Sequence, residues 1–360
     1  MAALADVLGL GLLETDPRLL GWGDKSGSRQ LFRAAGVRHL PGSYVADRDV
    51  TSLAVRLAAL VRDHGPGQWV VKLDRGFGSG HGNAIVDLRH GSQAGIEQEL
   101  LSSLRPTGAG VRRAQFFQWL HRVGAIVERR VQCAPGATLG APSALGHLSA
   151  APASGVRTVL LGIHDQLVGD AGDYLGCRYP ARADYRAQAA HQAGKAFSAL
   201  AARGVVGHAG VDFIAGPPVD GSGNPVLYAT EINLRQTGST HPNRTVRAVV
   251  PLALGAAGEL VTLDGHDVFF SATDSVLIPA CRGLPAAHLI AALRRSPRLS
   301  LDTKEGRGVV PHLWPALDRF GKIGVTAIGR SATECDQLTN EFTELLIRLG
   351  ESVPRSRIAV

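Results

Sequence analysis

Two acids and an amide in one predicted hairpin are the residues of this 360-residue chain best suited to chemistry. Residues 205–235 read as two strands around a Gly/Pro-rich turn, and a turn centred on Gly221-Ser222 sets Asp212 opposite Glu231. Opposed side chains lie about 5 Å apart and strand residues alternate faces, so Asp212, Glu231, Asn233 and Arg235 project to one side. Val211, Phe213, Tyr228 and Ile232 then take the other face, toward a core. Two carboxylates held face to face repel, and a cation between them is the natural resolution. Donors that are all oxygen suit Mg²⁺ or Mn²⁺ rather than zinc. The alternative is a solvated acidic face with Arg235 as its counter-charge, and Pro217-Pro218 allow an asymmetric turn that shifts the register.

A second group follows a short predicted strand, Trp69–Leu73. Lys72 is succeeded by a loop with glycine at 76, 78, 80 and 82, running through Ser79 and His81 to Asn83. Glycine removes the Cβ that blocks backbone approach, so such a loop brings N–H groups close to phosphate while Lys72 adds a point charge. Neither the G-x-x-x-x-G-K-[ST] nor the G-x-G-x-x-G spacing is present, and a plain structural turn is the competing reading. Third, Ile126-Val127-Glu128 reads as a strand whose edge could carry adenine, with Glu128 near its amino group; an ordinary strand is the alternative. Thr240, ahead of His241-Pro242, suits a helix cap, and His164-Asp165-Gln166 a ribbon turn. No G-x-S-x-G elbow or cysteine motif supports nucleophilic catalysis.

Positioning these residues takes alternating helices and strands. Helices are expected over Ser26–Ala35, Asp49–Asp63, Gln93–Leu104, Arg182–Arg203 and Ala332–Leu349, and strands over Trp69–Leu73, Asn83–Leu88, Ala125–Arg129, Thr158–Val168 and Ile323–Ile328. Residues 133–154, rich in Ala, Pro, Gly and Ser, read as a linking loop or weak strands, and the pattern relaxes after Leu252.

Composition bounds the class. The length predicts two or three packed lobes, and no apolar run approaches the ~20 residues of a membrane span. Met1–Pro17 carries Asp6, Glu14 and Asp16 and no basic residue, unlike a secretory signal, so a cytoplasmic location is expected. The four cysteines form no C-x-x-C pair and are expected to be reduced, mostly buried thiols. A net charge of +7 comes from arginine, since only 5 of 38 basic residues are lysine. No Lys/Arg block is interleaved with aromatics, which argues against nucleic acid.

Together these residues resemble the ATP-grasp ligases, most closely the pheganomycin-type peptide ligases. The matching stretches, in order, are Asp24–Arg29 with Ala35–Val37, Val71-Lys72 with Ser79–Asn83, His164–Gln166, Tyr174–Pro180, Gly210–Phe213 and Glu231–Pro242. The resemblance implies an α/β (α+β) ATP-grasp fold with two lobes gripping ATP. A segment 1–24 would precede an ATP-grasp domain over 25–250, with a nucleotide lobe at about 46–130, a metal lobe at about 131–250, and 251–360 completing the second lobe. Lys25, Lys72, Glu128 and the flap Gly78, Ser79, Gly80, His81, Gly82 and Asn83 would bind ATP. Asp212, Glu231 and Asn233 would hold Mg²⁺ or Mn²⁺, and Arg235 with Lys72 would serve the chemistry, Arg235 steadying an acyl phosphate. The implied partners are a small carboxylate and an amine or peptide, with a homodimer compatible, and no nucleic acid or membrane. Relatives generally begin with a further α/β domain, whereas 24 residues precede Lys25 here, and no acid between Glu128 and Asp165 presents itself for ribose. A module that binds ATP without turnover is the competing function.

Overall fold

The computed structural model describes residues 2–10, 14–76, 80–132, 140–151, 155–169, 173–218, 223–254, 259–263 and 265–352. Two units divide the chain: Met1–Leu160 with Val168–Tyr174 and Ala183–Gln236, and Leu161–Leu167 with Leu175–Arg182 and Thr237–Val360.

In the first unit, α1 (Ala2–Leu8), α2 (Lys25–Ala35) and α3 (Val50–His64) precede β1 (Gly67–Leu73) and β2 (Asn83–Leu88). Then come α4 (Gln93–Ser103), β3 (Arg105–Pro106), α5 (Arg113–Val123) and β4 (Ala125–Arg129). Asp49 starts α3 by accepting the Ser52 N–H at 2.7 Å. Gly36 ends α2 at φ 62°, a left-handed turn that glycine reaches without strain. The strands form an antiparallel sheet of order β3-β2-β1-β4. One face buries Trp69 and Val71 against Leu53 and Leu57 of α3 and Phe116 and Leu120 of α5, each such side chain contributing on the order of 1.5–3 kcal/mol. Because β1 alternates, Val70 and Lys72 emerge on the opposite face.

The edge of β4 is not free. Residues 41–47 lie along it: Ser43 N–H donates to the Val127 carbonyl at 2.8 Å, Asp47 N–H to Ala125 at 2.9 Å, and Arg129 N–H to Pro41 at 2.8 Å. Gly42 allows this approach, since a Cβ there would overlap the Val127 carbonyl.

Further along are β5 (Pro142–Ala151), β6 (Gly155–Val168), β7 (Tyr174–Tyr179), α6 (Ala183–Ala201), β8 (Gly207–Gly216) and β9 (Val226–Asn233). The first unit holds the order β5-β8-β9. Of the loop or weak strands expected over 133–154, the described part forms a well-paired strand, β5, rather than a loop: Ser143 faces Asp212 and Leu145 faces Gly210. Its small residues fit burial, and a Cβ at Gly146 would meet the Phe197 ring of α6. His164 and Asp165 lie inside β6, not at a turn; His164 is buried, and Asp165 accepts the Arg182 N–H at 2.9 Å.

The second unit adds α7 (Thr240–Val249), β10 (Leu252–Leu254), β11 (Leu260–Thr262), β12 (Phe269–Leu277), α8 (Ala286–Arg295), β13 (Gly308–His312), α9 (Trp314–Phe320), β14 (Lys322–Gly329) and α10 (Ala332–Glu351). The expected cap at Thr240 is displaced by one residue: Ser239 takes the cap position of α7, and the Thr240 hydroxyl instead accepts the Thr237 N–H at 2.8 Å. Strand order in this unit is β13-β14-β12-β7, with β6 beyond β7. α8, α9 and α10 bury Leu289, Leu317, Phe342 and Leu346 with Ile323 and Val325 of β14. Past Leu252, β14 and α10 are the elements that the sequence pattern makes legible. Cys281 and Cys335 are buried free thiols, Cys177 is buried, and Cys133 lies outside the described residues. Among the described residues no helix is long and apolar enough to cross a membrane.

Gly42→Ala is expected to cost about 1–3 kcal/mol, because the added Cβ forces residues 41–47 off β4. Thermal unfolding checks this, and an unchanged melting temperature would show that the segment is not held there.

Candidate functional site

The acidic hairpin forms as the sequence predicts at its inner end, where Asp212 pairs with Glu231, Val211 with Ile232 and Gly210 with Asn233. Beyond Asp212 the register slips by one: Phe213 faces Ala229 and Ile214 faces Tyr228, leaving Thr230 as the extra residue of a β-bulge. The Thr230 hydroxyl donates to the Asp212 carbonyl at 3.1 Å. This corrects the expected face of Tyr228. Paired with Ile214, it shares the side of Asp212 rather than that of Val211 and Phe213.

Lys25, the first residue of α2, extends its ammonium to Glu231 at 2.6 Å. Its helix is fixed at two points. Asp74 accepts the Ser26 N–H at 2.8 Å, and the Ser28 hydroxyl accepts the Ile232 N–H at 3.0 Å, tying α2 to β9. The Asn233 amide donates to Asp212 at 2.9 Å and to Glu231 at 3.4 Å, while its oxygen accepts from Arg235 at 2.9 Å. The amide nitrogen of Asn233 thus bridges the two carboxylates. Turning the amide over brings its oxygen to the same place, giving an oxygen-only donor set that fits Mg²⁺ or Mn²⁺. Arg235 is exposed and pairs with neither acid.

Charge separates the two carboxyls. Burial, and then the Glu231 charge, push Asp212 up to about 7, against a hydrogen bond from Ser143 and the nearby Lys25. Burial also opposes the charge on Glu231, yet Lys25, followed by Lys72 and Asn233, outweighs it and draws that carboxyl below its ordinary value.

Lys72 stands on the face of β1 away from the core, where it forms an ion pair with Glu128. Glu128 also receives Arg29 at 3.2 Å, and Arg29 is fully buried, donating to the carbonyls of Ser43 and Leu40 at 2.7 Å each. The edge of Ile126-Val127-Glu128 expected to carry adenine is covered by residues 41–47, and the Glu128 carboxylate pairs with Lys72 and Arg29. Glu128 also borders an open cavity of about 350 Å³, together with Val70, Lys72, Ile85, Val131, Ile214 and Thr230. Gly80 and Asn83 also border it.

Of the flap, Gly80 to Asn83 are described, while Gly78 and Ser79 lie outside the described residues. Gly80 has φ 74° and its carbonyl accepts from Asn83 N–H at 3.1 Å; the Gly82 carbonyl accepts from Leu73 N–H at 2.8 Å; His81 is exposed. Sequence reasoning does not single out Ser28, Arg29, Asp74, Ser143 and Thr230 by role. Ser28 and Arg29 fall within a stretch that carries the family resemblance, so their presence is visible there although their contacts are not. Ser143 lies in the segment that reads as a linking loop or weak strands.

No family model matches the chain. It is 30% identical over 339 residues to an L-propargylglycine–L-glutamate ligase of Streptantibioticus cattleyicolor, covering 90% of this chain and 64% of that relative. The chain therefore spans a little under two thirds of that relative's length. Among solved structures it is similar to N5-carboxyaminoimidazole synthetase of Staphylococcus aureus in complex with ADP, with TM-score 0.57, 12% identity, and coverage of 95% of this chain and 78% of that one. Biotin carboxylase of Campylobacter jejuni gives TM-score 0.61 at 13% identity, covering 97% and 75%. These likenesses establish a mixed α/β chain with the ATP-grasp fold, as the sequence resemblance implied.

Asp212 ionises in the folded chain at a cost, because its folded pKa of about 7 lies above the ordinary 3.8; the penalty is full above pH 7 and fades as the pH falls toward 4. Without divalent ions, Asp212→Asn should therefore melt a few degrees higher than the wild type at pH 8, with the difference shrinking by pH 4.5. Excess Mg²⁺ should reverse the order by stabilising the wild type alone. Equal melting temperatures at pH 8 without Mg²⁺ would remove the repulsion from the account.

Proposed function

We propose that the chain is an ATP-dependent carboxylate–amine ligase. The observation that carries this reading is the convergence of Asp212, Glu231 and Asn233 with Lys25 in the same unit as a cavity bordered by Lys72. The 30% identity to an enzyme named for joining two amino acids supports it, and favours amino acids or short peptides as both substrates.

On this reading adenine enters the cavity beside Val131 and Ile214, with the backbone after β4 supplying polar contacts. Lys72 and the Gly80–Asn83 turn face the phosphates. The strands of residues 46–130 form the nucleotide wall, and those of 131–250 carry the metal ligands. Asp212, Glu231 and Asn233 would hold Mg²⁺, which supplies charge neutralisation to the phosphates when bound. The substrate carboxylate attacks the γ-phosphorus, forming an acyl phosphate as the bond to ADP breaks. The amine then attacks the acyl carbon, loses a proton, and phosphate leaves with the amide formed. Arg235, exposed and bonded to Asn233, would meet the anionic acyl phosphate. Positioning and charge supply most of the rate in such transfers.

Glu231→Gln should lower substrate-dependent ADP release on the order of 10²–10³-fold while the fold survives, since it removes a ligand charge and keeps the shape. The assay is ADP release with pooled amino acids and peptides, with product mass to identify the amide. Wild-type ATP binding without substrate-dependent release would point instead to a module without turnover. Lys72→Ala should weaken ATP binding roughly 10-fold or more by calorimetry, and an unchanged affinity would take Lys72 off the phosphates.

A further inference from the structure

We propose that His241, Asp274 and His312 of the second unit bind one divalent transition-metal ion of the kind that takes imidazole nitrogen, with Zn²⁺ as the representative. The three come from separate elements. His241 lies in the first turn of α7, His312 ends β13, and Asp274 sits in an irregularity of β12 between Thr273 and Val276. The register of β12 against β14 pairs Thr273 with Val325 and Val276 with Ile323, so residues 274 and 275 together oppose Gly324. Gly324 is also the partner of His312 across β13 and β14. A Cβ at Gly324 would overlap the His312 ring, so the glycine makes the room in which that ring meets Asp274. Bulges of this kind commonly re-aim a side chain at a functional site.

Distances and proton counting point the same way. His312 Nε2 lies 2.8 Å from Asp274 Oδ1 and 3.1 Å from His241 Nε2, and the three donor atoms fall within 4.8 Å of one another. Two donors at about 2.1 Å from one ion lie roughly 3.4 Å apart at the tetrahedral angle and roughly 3 Å apart at right angles, so small side-chain rotations bring these three to coordinating distance. A ring nitrogen offers one in-plane position, holding either a proton or a lone pair. If His312 Nε2 carries a proton, it has two acceptors to share; if it does not, its lone pair faces the Asp274 oxygen. One cation at the point of convergence satisfies all three. The side chains of Asp274 and His312 are 44% and 19% exposed, leaving an open side for water or an anionic oxygen to complete the coordination. Two imidazoles and one carboxylate suit zinc, and share that chemistry with iron and nickel.

The test is a calorimetric titration of the tag-free full chain, stripped by chelator, with ZnCl₂ in the presence of excess Mg²⁺ to occupy the oxygen-only site. One equivalent of Zn²⁺ should bind. His312→Ala and Asp274→Asn should each weaken it at least 10-fold, and the His241→Ala/His312→Ala double variant should abolish it. Co²⁺ substituted for Zn²⁺ should give visible d–d absorption that the double variant lacks. No stoichiometric Zn²⁺ uptake by the wild type, or equal uptake by the double variant, overturns the proposal. If the double variant fails to fold, His241→Gln and His312→Gln decide by the same titration.

Discussion

The first unit is organised around one repulsion, that of Asp212 and Glu231 across β8 and β9. Two unit charges about 4 Å apart at an effective dielectric of ~20 repel by about 4 kcal/mol, enough to consume much of a domain's stability if nothing answered it. Lys25 answers on one side and the Asn233 amide between them. Neither arrives by chance of packing. Ser28 ties the helix of Lys25 to the strand of Glu231, and the Thr230 bulge adjusts β9 so that the pairing at Asp212 survives a turn whose register is shifted further out.

A second group of charges is arranged with the opposite logic. Arg29, Glu128 and Lys72 are drawn into one cluster in which the arginine is wholly buried and directs its remaining donors to backbone carbonyls. Such clusters add little net stability over apolar packing, but removing one member leaves the others stranded. Their use is placement. Glu128 fixes Lys72 at the border of the cavity, where its charge also reaches Glu231.

Much of this is legible where a local rule decides it. Alternation along β1 puts Lys72 on the face away from the core, and the expected pairing of Asp212 with Glu231 is met, with the Thr230 bulge making up a one-residue slip nearer the turn. What resists reading depends on distant partners. The cover of residues 41–47 over β4 is made by backbone hydrogen bonds that no periodicity announces, and it closes the edge on which adenine was expected. β5 escapes the pattern because a strand buried on both faces favours small residues, which in sequence look like a linker. The slip at Thr230 reverses Tyr228 for the same reason, since a bulge is set by its neighbours.

Donor chemistry separates the two proposed cation sites of the chain. Asp212, Glu231 and Asn233 offer only oxygen, which suits a hard ion that keeps its water and exchanges readily with nucleotide. His241 and His312 offer nitrogen, for which zinc and its neighbours compete far better than magnesium. The nitrogen-bearing site therefore favours zinc by its donors, while the greater availability of magnesium decides the oxygen-only site. The position of Asp274 matters here: one carboxylate beside two imidazoles adds charge without turning the site into an oxygen cage, so the preference for a nitrogen-binding ion is kept.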